Sequence, residues 1–71
     1  MIYRITYRYF DGDTYRQSQC EKPFEEDNDD DAVKLFRQFQ EDEERLNGLV
    51  SGNSNYKLER VEPDGTLTKI V

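Results

Sequence analysis

Histidine is missing from this chain and cysteine occurs once, at Cys20. Without histidine the commonest general base is absent. One thiol with no imidazole cannot supply the roughly four nitrogen or sulfur ligands of a closed zinc site, and it forbids an intrachain disulfide. No apolar run approaches the roughly 20 residues of a membrane-crossing helix. Met1 leads straight into a strand-like run, with no signal-peptide pattern. The expectation is a cytoplasmic protein with no membrane partner, no metal and no cofactor. Catalytic carboxylate pairs of the glycosidase kind need a deep pocket, and a 71-residue chain with one helix has little room for one, so enzyme activity is not expected.

What the chain does hold is acid. Sixteen Asp and Glu face ten Lys and Arg, for a net charge of −6. Ten of the sixteen lie between Glu25 and Glu44. Only Lys34, Arg37 and Arg45 oppose them between Glu25 and Asn47, so that segment carries −7 and the remainder +1. Such a field disfavours direct binding to nucleic-acid phosphates and favours basic partners.

Low hydrophobicity leans towards disorder, but nine aromatics, clear periodicity and well-placed turn signals indicate one folded domain over residues 1–71. A domain of this size buries only about 60% of its unfolded surface, so its stability margin is thin.

Ile2 to Phe10 is rich in β-branched and aromatic residues and reads as a strand. Asp11-Gly12 is a hairpin signal, with Asp13 to Glu21 as the return strand. A two-residue loop sets Tyr7 opposite Arg16, Ile5 opposite Ser18 and Tyr3 opposite Cys20. Tyr3, Ile5, Tyr7, Tyr9 and Cys20 then share one face, and Arg4, Thr6, Arg8, Tyr15, Gln17 and Gln19 the other. Lys22-Pro23-Phe24 is expected to break the strand.

A helix follows. Ala32, Leu35, Phe36 and Phe39 keep the spacing of one helical face, Leu46 extends it, and Val33 flanks it. Its N-cap lies within Asp27 to Asp30. Asn47-Gly48 is a C-cap signal, with Leu49 closing over the last turn. Ser51 to Asn55 reads as a flexible loop. Tyr56 to Glu62 reads as a third strand, Pro63-Asp64-Gly65 as a turn, and Thr66 to Val71 as a fourth. A three-residue loop pairs Glu62 with Thr66, Val61 with Leu67, Glu59 with Lys69 and Leu58 with Ile70. Tyr56, Leu58 and Ile70 point inward.

The fold class is therefore α+β, ββαββ, a four-stranded sheet with one helix packed across one face. In element order this resembles the β-grasp fold of ubiquitin-like proteins, which implies parallel first and last strands side by side. No ubiquitin motif accompanies the layout. A chain ending at Val71 without a terminal di-glycine is not expected to be conjugated as a modifier. The alternative is an all-antiparallel sheet with the same element order.

Four chemistries were weighed. Asp27, Asp29 and Asp31 begin like a calcium-binding EF-hand loop, but Ala32 stands where Gly is needed and Gln38 where a bidentate Glu is needed. Cys20 has no histidine partner and reads as a small buried hydrophobe. Arg4, Arg8, Tyr15 and Phe10 could form a platform for single-stranded nucleic acid, though Arg8 beside Tyr15 is more simply a cation–π pair. The acidic side is the favoured partner-binding surface: Glu25, Glu26, Asp27, Asp29, Asp30 and Asp31 at its start, and Glu41, Asp42 and Glu44 at its far end. One or two acids suffice to complement a helix N-terminus. The excess points to a non-enzymatic module that binds a basic protein surface, as an inhibitor or nucleic-acid mimic. In size, acidity and single-domain build the chain is similar to phage-encoded inhibitors of host defence. The alternative function is a ubiquitin-like adaptor that binds through a sheet face or edge strand, including as a homodimer.

Overall fold

The computed structural model describes residues 1–46 and 51–71. Its elements are β1 (Ile2–Asp11), β2 (Arg16–Glu25), α1 (Asp29–Leu46), β3 (Gly52–Val61) and β4 (Leu67–Lys69). The strands form one sheet in the order β2-β1-β3-β4, and every pairing is antiparallel. The ββαββ class holds, and of the two arrangements considered the all-antiparallel one is adopted. The neighbours of β1 are β2 and β3, so the parallel first-to-last pairing of the β-grasp layout is not formed. The ten residues of β3 give β1 a longer ladder than the three of β4. They also set Ile5 opposite Leu58 and Arg4 opposite Glu59, both favourable cross-strand pairs.

The first hairpin departs from the two-residue loop. Asp11 pairs with Arg16 across the loop Gly12–Tyr15, so Tyr7 faces Cys20 and Tyr3 faces Phe24. Asp11 Oδ1 accepts the Asp13 N–H at 3.0 Å. That side-chain turn makes Asp11 the end of the strand rather than part of the tip. Tyr15, not Gly12, takes the left-handed conformation, at φ 57°. The slip from the expected register is four residues, an even number. Every side chain within both strands therefore keeps its expected face, while Tyr15 leaves the strand for the loop.

Pro23 does not break β2. The strand runs on to Glu25 because it is a sheet edge. Met1 and Glu26 exchange both backbone hydrogen bonds, at 2.9 and 3.1 Å. Counting along the ladder from there makes Arg4–Pro23 a pair without mutual hydrogen bonds. The proline nitrogen faces the open edge, where no N–H is needed.

Asn28 caps α1: its Oδ1 accepts the Asp31 N–H at 2.8 Å, and its Nδ2 donates to Asp31 Oδ2 at 3.2 Å. Ala32, Phe36 and Phe39 are buried against Tyr3, Ile5 and Leu58, with Tyr7, Phe24, Val33, Leu35, Tyr56 and Ile70 packed around them. Tyr7 and Tyr56 stack at 5.5 Å between ring centroids, and Phe39 meets Tyr7 at 5.4 Å. Leu46 is not core: it is 80% exposed. The inward angle of the later turns passes to Glu43, which accepts from Asn53 Nδ2 at 3.4 Å. The expected C-cap at Asn47-Gly48 and the closure by Leu49 lie outside the described residues.

Ser51 to Asn55 is not a free loop. Gly52, Asn53 and Ser54 pair with Phe10, Tyr9 and Arg8. The register shifts between Thr6 and Arg8, and Asn55 takes φ 56° there, forming a bulge. The second hairpin has the expected register at Val61–Leu67 and Glu59–Lys69, but β4 is only Leu67–Lys69 rather than Thr66 to Val71, and Leu58 donates to Val71 O at 3.1 Å in place of a regular Leu58–Ile70 pair. Gly65 sits at φ 89° and donates to Glu62 O at 2.9 Å. The helix covers one sheet face and leaves the other open.

Candidate functional site

Asp29 opens the helix and is fully engaged. It accepts the Tyr3 hydroxyl at 2.6 Å and the Arg60 guanidinium at 2.8 and 3.1 Å. Arg60 Nε in turn donates to Glu62 at 2.7 Å, and the Thr68 hydroxyl donates to the same Glu62 oxygen at 2.9 Å. Burial and the adjoining Asp29 carboxylate push the Tyr3 phenol up to about 12. The Tyr3 hydroxyl and Arg60 hold Asp29 below the usual carboxylate range. This network ties helix start, β1, β3 and β4 together. Asp29 is thereby engaged within the chain, although its side chain remains 41% exposed. Sequence reasoning missed Arg60, although strand alternation places it on the inward side with Tyr56 and Leu58.

The other acidic residues divide into two groups. Along α1 the exposed charged residues are Asp30, Glu41, Asp42 and Glu44 against Lys34, Arg37 and Arg45, four acids to three bases. Glu41 lies 4.0 Å from Arg45, and Asp42 accepts from Gln38 Nε2 at 2.9 Å. The outer helix face is thus nearly neutral. At its start the balance differs. Glu25, Asp27 and Asp30 are exposed, and Glu26 and Asp31 half-buried. Among the described residues none of these five lies within 4.0 Å of a basic group. A hollow of about 300 Å³ beside them is lined by Met1, Asn28, Asp29, Asp30 and Arg60. From Asp30 to Glu44 is about 21 Å along the helix, so the two acidic groups are separate surfaces.

Among the described residues no three carboxylate or thiol groups converge as metal ligands would. Cys20 is half-buried on the helix-side face opposite Tyr7. Arg4 and Arg8 lie on the open sheet face with Phe10, but Arg4 is engaged, 3.5 Å from Glu21 and 3.3 Å from Glu59. Tyr15, 83% exposed, meets Phe10 edge-on at 6.4 Å. The expected Arg8–Tyr15 cation–π pair is not formed; among the described residues such a contact sets Lys22 Nζ 4.8 Å from the Phe39 ring centroid. No described helix is long and apolar enough to cross a membrane. No family model, curated protein or solved structure matches this chain.

Proposed function

We propose that the chain is a non-enzymatic protein-interaction module whose acidic end docks on a basic protein surface, acting as an inhibitor or nucleic-acid mimic. One observation carries this reading. Six carboxylates stand in the seven residues Glu25–Asp31, and among the described residues only Asp29 has an ion pair. Unpaired carboxylates gathered about the helix start keep their charge available, and their field accelerates encounter with a basic partner. The docking surface is thereby narrowed to Glu25, Glu26, Asp27, Asp30 and Asp31, with Glu41, Asp42 and Glu44 peripheral.

The test is affinity capture at low salt from the native host, identification of the captured protein, and titration of that protein by calorimetry. Combined Glu26→Gln, Asp27→Asn and Asp30→Asn should weaken binding by about tenfold or more. Combined Glu41→Gln, Asp42→Asn and Glu44→Gln should leave it within about twofold. Equal losses from both sets, or binding indifferent to salt, would remove the acidic end as the docking surface.

A further inference from the structure

The open sheet face carries a charge pattern of which the docking proposal uses only Glu25. Arg4, Arg8, Lys57 and Lys69 lie on it with Glu21, Glu25 and Glu59, one more base than acid. The rest of a chain of net charge −6 therefore carries −7. Two copies repel each other least when these faces meet. The face also has an apolar end. Ile2, Val61 and Leu67 form one cross-strand row, which Glu25 continues at the β2 edge, with Ile2 46% and Leu67 42% exposed. A hollow of about 410 Å³ opens beside Ile2, Val61 and Pro63.

We infer that this face pairs with a second copy of the chain, sheet on sheet, with the helices outside. Consider a two-fold axis parallel to the strands, midway between β1 and β3. It lays β1 of one copy over β3 of the other and keeps each row in place. Arg4 then faces Glu59 of the second copy, and Glu59 faces its Arg4. Ile2 faces Val61 twice over. Lys57 comes over Thr6, beside Glu21. At the far end Phe10 faces Gly52, where a Cβ would meet nothing within 4 Å, so there is room for a ring. An axis across the strands does the opposite: about Thr6 it stacks Lys57 on Lys57 and Arg4 on Arg8. The charges favour the first arrangement over that one. Aligned sheets about 10 Å apart interdigitate in this way. The face extends about 27 Å along β1 and about 14 Å across the sheet. That buries on the order of 1,000 Å² in total, the low end of specific interfaces, so the dimer is a weak one.

Sedimentation equilibrium from about 5 to about 500 μM, the range in which weak interfaces populate both states, should show a monomer–dimer equilibrium for the wild type. Arg4→Glu and Glu59→Arg should each be monomeric, because each sets like charges face to face. Their equimolar mixture should dimerise again, because both inter-copy pairs become opposite in sign. An Arg4–Glu59 contact that served only its own chain gives no such rescue. Gly52→Lys fills open space without a clash in its own chain. It should weaken dimerisation by about tenfold or more with the melting temperature unchanged, a check independent of the ion pair. Asp27→Asn and Asp30→Asn, which lower the repulsion between the two acidic ends, should not weaken dimerisation, and this separates the inference from the acidic-end proposal. A wild type monomeric throughout, a mixture that stays monomeric, or an open face that binds a single-stranded oligonucleotide as a monomer would each overturn it.

Discussion

Replacing Asp29 by Asn leaves the Tyr3 hydroxyl and the Arg60 guanidinium without their shared anion. Groups that lose a charged partner are more costly than groups that never had one. Asp29→Asn should lower the melting temperature by about 5 °C or more, whereas Asp30→Asn, exposed and without an ion pair, should lower it by clearly less, through the helix dipole alone. The same network sets the pH limits. Asp29 and Glu62 are held below their ordinary values of 3.8 and 4.5. Their contribution is complete above those values and is lost as pH falls through and below them. Tyr3 is raised from 10.0 to about 12. Its contribution is complete below pH 10 and disappears as pH climbs towards 12. Thermal melts across both limits should show the two losses, and Tyr3→Phe should flatten the alkaline one. Asn55, at φ 56° in the β3 bulge, gives a backbone prediction. Asn55→Ala should cost about 1 kcal/mol in urea unfolding, and Asn55→Gly much less, because a left-handed conformation penalises a Cβ.

At the scale of elements, α1 is well begun and poorly ended. Asn28 and the aspartates after it satisfy its positive end, and Asn28→Ala should cost about 1 kcal/mol. Glu41, Asp42, Glu43 and Glu44 crowd the negative end, with only Arg45 basic in the last turn. Glu44→Lys should therefore stabilise the helix by about 0.3–1 kcal/mol, read from urea melts followed by circular dichroism. How far the elements were legible depended on what pinned them. Pro63-Asp64-Gly65 admits one good turn, so the second hairpin follows in register as far as Glu59–Lys69. Asp11-Gly12 admits two, and the Asp11 side chain chooses the longer. The even slip still left the core face of β1 readable. Pro23 misled because its effect depends on being at an edge, and strand order is a property of the whole sheet. The Ser51–Asn55 stretch misled for a similar reason: its polar composition says loop, but the long end of β1 was there to pair with it. Alternation puts Arg60 on the inward face with Tyr56 and Leu58, but a charged residue there makes sense only once Asp29 stands above it.

Across the whole molecule, charge is sorted by place: an unpaired acidic end, a nearly neutral outer helix face, and an open sheet face with a slight basic excess. The two proposed surfaces therefore respond to salt with opposite sign. Docking of the acidic end on a basic partner draws on long-range attraction. It should weaken steeply as salt rises from about 10 mM to about 100 mM and the screening length falls from about 30 to about 10 Å. Self-association brings together two bodies of net charge −6. Over the same range the repulsion between their acidic ends is screened, while the apolar row at Ile2 and Val61 and the close Arg4–Glu59 contacts are less affected. Dimerisation should strengthen. Sedimentation equilibrium and calorimetric titration at the two salt concentrations would give both signs on the same protein. If dimerisation weakened in step with docking, the open face would be held by long-range charge alone, and the packing of Ile2 on Val61 and of Phe10 over Gly52 would have to be abandoned.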